Sequence, residues 1–434
     1  MASTTLYKYN PATSSTNEYK GTFSWWMKVS EVDAGSYLIS QESGQERFFW
    51  YISGGSDSFE GAYRGASGQP NIDFSLSSAP KIRDPNGWYH CVIAYDTTQS
   101  TASDRLKFYI NNVQYTVSNV GGDIPQNTIF PMNKSSFAQP LYIGSYVNSA
   151  AYFDGLMSHF HFVDGQQLTP SSFGEYDANG VWKIKTSPSV TYGNFGYFIL
   201  KNGNSVTDQS GNGNNFTVAG GTLTNTEDSP SNVFATANPL NKTSNIFLGN
   251  GNLGIGTTNT GTDEGIAGTI AFDNGKYYWE NKYAGSGDPA IGIVKITANN
   301  INLNNERIIY HENGTIYTDG LSGVSAINTG VTYTTNDIIS VAFDTENGII
   351  KFYKNNSLVE TITNSQLQYT NNEWIPFWYC ANSNNNIAVN ANFGNGYFGT
   401  TPVASAGTNA SGIGIFEYDV PTGYTALSTK GLNE

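Results

Sequence analysis

The sequence predicts an all-β protein built as two tandem antiparallel β-sandwiches, and three observations carry that expectation. First, aromatic residues make up 14% of the 434 residues and charged residues only 13%, with 47 glycines. Such a chain has inward rows of rings and neutral-polar solvent faces. Second, residues 337–356 read as a β-hairpin. Ile339, Val341 and Phe343 share one face by the period of two, Asp344-Thr-Glu-Asn-Gly348 supplies turn chemistry, and Ile350 and Phe352 return inward. Third, that pattern is stated twice. Gly87–Asp96 runs up, Thr97–Asp104 is a polar loop, and Arg105–Asn112 runs back, ending in the same Phe-Tyr-x-Asn-Asn about 245 residues earlier in the chain.

The bulk properties narrow the possibilities further. The length exceeds one ordinary core and suggests two domains or three. Low charge with many rings excludes disorder. A net charge of −14 argues against affinity for nucleic acid or an anionic membrane. Cys91 and Cys380 fall one in each half, within strand-like runs, and are expected as buried small hydrophobes rather than a disulfide. The N-terminus lacks the apolar core of a signal peptide, and no apolar run approaches a bilayer span, so a soluble protein is expected.

In order along the chain, residues 1–20 are polar and expected to be irregular. Strand-like runs follow at 21–29, 37–40, 47–52 and 61–64, divided by Gly and Ser clusters. After the 88–112 hairpin come Leu141-Tyr-Ile-Gly144 and the run 151–165. The motifs Phe23-Ser-Trp-Trp-Met-Lys28, Trp88-Tyr-His90, Leu106-Lys-Phe-Tyr-Ile-Asn-Asn112, Leu141-Tyr-Ile-Gly144 and Phe153-Asp-Gly155 with Phe162-Val-Asp-Gly165 stand in one order over roughly 18–175. That order resembles the laminin-G-like, concanavalin A-like sandwich, and a first domain is expected over 1–200. An Asn/Gly/Ser-rich connector is expected over 201–245, with Tyr197–Leu200 and Asn215–Val218 adding edge strands to the first sandwich.

The second domain is expected over 246–396. Gly275-Lys-Tyr-Tyr-Trp-Glu280, Ala290-Ile-Gly-Ile293, the 337–356 hairpin, Trp374-Ile-Pro-Phe377 and Ala391-Asn-Phe-Gly394 resemble the SPRY fold. A Gly-, Ala- and Thr-rich tail fills 397–434. The whole chain resembles tailed-bacteriophage virion proteins of the marine and cyanophage type. That resemblance rests on Val163-Asp-Gly-Gln-Gln-Leu-Thr-Pro-Ser-Ser-Phe-Gly-Glu175, the Asp208–Phe216 run, Asp228-Ser-Pro230, Asn238-Pro-Leu240 and Pro421-Thr-Gly-Tyr-Thr-Ala-Leu-Ser-Thr-Lys430. The stretch 404–418 lengthens the tail relative to that group.

Several residue groups are candidates for chemistry. A glycanase on this sandwich needs two acids facing across a groove, commonly on one strand as Glu-x-Asp-x-x-Glu, and no such run is present. Nor does a Gly-x-Ser-x-Gly elbow occur between a strand and a helix. Trp50, Tyr51 and Tyr63, with Asp57 in the neighbouring loop, offer rings and a carboxylate for sugar stacking, although alternation places one of Trp50 and Tyr51 in the core. Asp208, Ser210, Asn212 and Asn214 have the alternating oxygens of a calcium loop, but position 12 is Ala219 instead of the bidentate Glu; a plain Asx turn fits as well. His159 and His161 share a strand face, either as metal ligands lacking a third partner or as rings on the face opposite Phe160 and Phe162.

The expected function is non-enzymatic: a virion structural or adhesion protein, a tail fibre or appendage, that binds host-surface glycan or protein through sandwich loops. The alternatives are a capsid-decoration or fibre-assembly protein binding other virion proteins, and a polysaccharide depolymerase. The phage resemblance implies residence in the virion and a homo-oligomer, a trimer. No nucleic acid or membrane insertion is expected, and calcium is the one cofactor the residues suggest.

Overall fold

The computed structural model describes residues 4–30, 35–44, 46–54, 58–65, 71–77, 81–147, 151–201, 205–258, 264–296 and 306–433. They form two compact units, 1–223 and 224–434. Both are all-β, with several antiparallel sheets and only short 3₁₀ turns of helix among the described residues.

In the first unit, thirteen strands form one continuous hydrogen-bonded order that folds over at Val113–Val120. This strand pairs with Leu106–Ile110 on one side and Asn71–Ser77 on the other. One layer therefore contains Tyr197–Ile199, Gly155–Asp164, Lys20–Val29, Tyr89–Asp96 and Leu106–Ile110. The other runs from Asn71–Ser77 through Ser58–Arg64, Glu46–Ser53, Ser36–Ser43, Leu141–Ile143 and Thr5–Lys8 to Thr217–Gly220. Between the layers lie Phe23, Trp25, Met27, Trp50, Phe74, Ile93 and Phe108, all buried. Burying each of these large side chains contributes about 2–3 kcal/mol.

The second unit holds a seven-stranded and an eight-stranded sheet. Trp279, Trp378, Phe393, Val341, Phe343, Ile350 and Phe352 fill its core. The central hairpin is Ile338–Asp344 with Ile349–Lys354, paired as Val341↔Phe352 and Phe343↔Ile350. Its counterpart in the first unit pairs Ile93↔Phe108 and Tyr95↔Leu106. The likeness reaches the turns. Asn111 and Asn112 have φ of 47° and 67°, and Asn355 and Asn356 have 47° and 68°. Asn111 Oδ1 accepts the His90 N–H at 2.8 Å, and Asn355 Oδ1 accepts the Ile338 N–H at 2.8 Å. At the far end, Lys20 pairs with Asp96 at 3.0 Å and Lys276 with Asp344 at 3.4 Å.

Three expectations about organisation need correction. Residues 5–8 form a strand, since Leu6 fills the core between Ile143 and Val218. The expected connector 201–245 is divided between the units: Thr217–Gly220 closes the first sheet, and Ala237–Lys242 pairs with Glu264–Gly268 in the second unit. The Asn215–Val218 run signals the first of these edge strands, whereas Asn238 and Pro239 conceal the second. Finally, 397–434 is no tail. Phe416, Val420, Tyr424 and Leu427 belong to the second core, and Thr425–Ala426 pairs in parallel with Tyr277–Tyr278. That segment covers the face bearing Tyr278 and Ala342, which the hairpin pattern alone leaves to solvent.

Candidate functional site

Strand alternation in the first unit builds an aromatic face. Along Glu46–Ser53, Phe48, Trp50 and Ile52 are fully buried, so Phe49 and Tyr51 point to the opposite side and are half-buried. Cross-strand pairing sets Phe49 beside Ser40 and Ala62, and Tyr51 between Tyr37 and Glu60. A bulge between Tyr37 and Ile39 changes parity in Ser36–Ser43: Leu38 and Ile39 are both buried while Tyr37 turns outward. Tyr37 and Tyr51 then stack with centroids 4.9 Å apart and planes 16° apart. Tyr146 leans over both columns, 4.8 Å from Tyr37 and 5.9 Å from Phe49. On the next strands of the same face, Tyr7 pairs with Tyr142 at 6.2 Å.

Polar groups frame these rings. The Tyr51 hydroxyl donates to Glu60 Oε2 at 2.6 Å, and the Tyr146 hydroxyl donates to Glu42 Oε2. Burial, followed by the bond to Glu60, raises the Tyr51 phenol well above its ordinary value, so it is a hydrogen-bond donor at neutral pH. Arg47 lies 3.7 Å from Glu42 and over the Phe49 ring at 5.7 Å. Arg64 pairs with Asp73 and donates to the Tyr63 and Ile72 carbonyls. Rings flanked by fixed hydrogen-bonding groups suit an amphipathic ligand with an apolar face and polar edges.

Of the expected ring cluster, only Tyr51 is on this face. Trp50 (0% exposed) and Tyr63 (3%) are in the core, stacked or edge-packed on Phe74, Phe108 and Phe130. Gly61 makes room for Trp50, since a Cβ there would lie 2.9 Å from the indole and 2.6 Å from the Phe49 carbonyl oxygen. Asp57 lies outside the described residues. Phe49 was recoverable from alternation with Trp50, whereas Tyr37 depends on a bulge and Tyr146 on chain reversal.

The Asp208 carboxylate is the hub of its loop, in the manner of the Asx turn that the sequence also fits. The Asp208 carboxylate accepts the Phe198, Ser210 and Asn214 N–H groups at 2.8–2.9 Å and the Ser210 hydroxyl at 2.8 Å. Asn212 Nδ2 donates to the Gly193 and Gly196 carbonyls, and Asn214 Nδ2 donates to those of Asn194 and Gly196. The Asp208 and Ser210 oxygens and the Asn212 and Asn214 amide nitrogens thus fasten the loop together and to residues 193–198. No group of three or more metal-ligating side chains of the His, Cys, Asp and Glu type occurs among the described residues.

His159 and His161 are also buried, at 8% and 2% exposure, rather than facing solvent. Phe198, Phe173 and Tyr192 cover them. Burial holds His159 down at about 4, so both rings are neutral. His90 touches Ser24 at 2.9 Å, but Trp182 Nε1–H donates to its Nδ1 at 3.0 Å. The Nε2 atom must then carry the proton and donate to Ser24 Oγ, so His90 cannot act as a base toward that hydroxyl. A polar depression with a cavity volume of about 300 Å³, lined by residues 14–19, Asn133 and Ser135, lies above the buried Asp164, which accepts the Thr16 N–H and Asn133 Nδ2–H.

In the second unit, Arg307–His311, Thr315–Tyr317 and Ile327–Asn328 are short strands. The main polar centre is internal. Glu280 is fully buried and accepts hydrogen bonds from Tyr278 Oη, Asn392 Nδ2 and the Glu417 and Tyr418 N–H groups, the last two at 2.8 and 2.9 Å.

Comparisons with known proteins agree with these two sandwiches. Residues 4–172 match the family model of the concanavalin A-like lectin/glucanases superfamily, and residues 276–395 match the SPRY domain. Among solved structures, the chain is similar to the SPRY domain of human HERC1, with 17% identity over 36% of this chain and 96% of that one, at a TM-score of 0.30. It is also similar to the TRIM65 PSpry domain, with 11% identity over 36% and 90%, at a TM-score of 0.28. No curated protein matches the sequence.

Proposed function

We propose that this chain, a concanavalin A-like domain followed by a SPRY domain, is a non-enzymatic adhesion protein of a tailed-phage virion, a tail fibre or appendage that binds host-surface glycan. Both domains are of binding type, which supports recognition of glycans or proteins as the activity. The observation that carries the glycan reading is the outward face of Tyr37, Phe49, Tyr51 and Tyr146, ringed by Glu42, Glu60 and Arg47. Rings of this kind offer contact area at small entropic cost, because each has only two side-chain torsions to fix. Virion residence rests on the sequence resemblance carried by residues 163–175, 208–216 and 421–430.

Two measurements test the proposal. The purified chain should bind host cells and compete with phage adsorption, and Tyr51→Ala should weaken that competition about tenfold, the loss of one stacking contact. Immunogold labelling of particles should place the chain on the tail. A chain that adheres to no host cell, or that labels only the capsid, would shift the assignment to decoration or assembly.

A further inference from the structure

We propose that the aromatic face of the first unit takes an uncharged pyranose chain laid across the strands and turns away polyanionic glycans; this rests on the glycan reading above. Three observations select that ligand class. The first is charge. Glu42, Glu60 and Asp73 border the rings, and both described arginines of the face are committed, Arg47 to Glu42 at 3.7 Å and Arg64 to Asp73. Arg64 spends its guanidinium on Asp73 and two main-chain carbonyls, and the charge of Arg47 is offset by Glu42, which weakens the pull of either fork on a ligand's carboxylate or sulfate groups. A polyanion approaching this face also meets a chain of net charge −14.

The second observation is the geometry of the rings. Tyr37 and Tyr51 lie nearly parallel and Tyr146 tilts 48° against Tyr37, so the rings tile a surface instead of enclosing a point. A caged cation needs rings on several sides of it, and Arg47 over Phe49 already occupies the cationic position here. A tiled surface instead matches the flat C–H face of a pyranose, with the sugar hydroxyls reaching the phenols and carboxylates at the rim. The third observation is backbone pairing. Ser36–Ser43, Glu46–Ser53 and Ser58–Arg64 each pair with a neighbour on both sides. No unpaired strand edge exists here to capture a peptide by strand addition. The pairing also spaces the rings by strand, with Tyr7 and Tyr142 continuing the same face on the far side of Ser40, which suits a chain of sugars rather than a single residue.

The test measures binding of the full chain to cellohexaose and chitohexaose as uncharged probes, and to polygalacturonate and dextran sulfate as polyanions. At least one uncharged probe should bind, with an affinity nearly constant between about 0.05 and 0.5 M NaCl, because screening acts only on charge–charge terms. Tyr51→Ala should weaken that binding about tenfold, while Tyr51→Phe, which keeps the ring, should stay within about threefold of the parent. Unchanged thermal unfolding of both variants would separate lost contact from lost fold. Preference for a polyanion, or uncharged binding indifferent to Tyr51→Ala, overturns the inference and leaves glycan adhesion standing. Cell adhesion that survives periodate oxidation of the host surface but not protease treatment overturns both.

Discussion

Glu280 and His90 are each held wholly inside a sandwich, and their titrations run in opposite directions. Burial raises the Glu280 carboxyl from 4.5 to about 7 despite four donors aimed at it. The native second unit thus holds this proton more tightly than the unfolded chain does. Its contribution to stability is complete below pH 4.5 and is lost as pH rises through about 7, a range worth roughly 3 kcal/mol. We expect urea midpoints of the second unit to fall between pH 5 and 8, and Glu280→Gln to flatten that slope. Burial pushes His90 the other way, from 6.5 to about 3. Here the unfolded chain takes the proton first, so the first unit loses stability as pH falls from 6.5 toward 3. His161 and His159, also depressed by burial, steepen that loss. Unfolding followed by probes specific to each unit should show the two stabilities diverging with pH.

The unit repeated at the element scale is the hairpin with its Asn-Asn turn. Both Asn111 and Asn355 hold left-handed backbone while their Oδ1 atoms cap the partner strand. Asn suits the position because its short amide bonds locally and tolerates positive φ. Asn111→Ala and Asn355→Ala should each cost about 1–2 kcal/mol, from the strained φ plus the lost acceptor, and Asn356→Gly should be nearly neutral. Thermal melts of the single variants check this. The hairpins were legible because each puts three or more apolar residues at period two beside a strong turn. The aromatic face was only partly so. Alternation from Trp50 identifies Phe49 and Tyr51, but the same rule puts Tyr37 with Ile39 in the core, and only the bulge at Leu38 reverses it.

At the scale of the whole molecule, the C-terminal segment is a structural part of the second sandwich. Phe416, Val420 and Tyr424 lie over Tyr278 and Ala342, and Glu280 ties the segment's main chain at 417 and 418. Truncation after residue 396 should uncover that apolar face and strip Glu280 of two donors. We expect the second unit to unfold at a lower temperature by well over 10 °C, or to be recovered as aggregate, while the first unit keeps its own transition. Calorimetry on the truncated chain would resolve the two.

By itself the sequence determined the all-β class, the two sandwiches, their order and the repeated hairpin, because alternation and turn residues act over a few neighbouring positions. Tertiary structure alone decided which rings reach solvent, that the Asp208 carboxylate serves main-chain donors, and that the segment 416–427 completes the second core. Those outcomes depend on a bulge, on chain reversals and on contacts between residues as much as 218 positions apart, as between Thr4 and Thr222. Local pattern cannot encode such pairings, since each is fixed by what the rest of the chain leaves unburied.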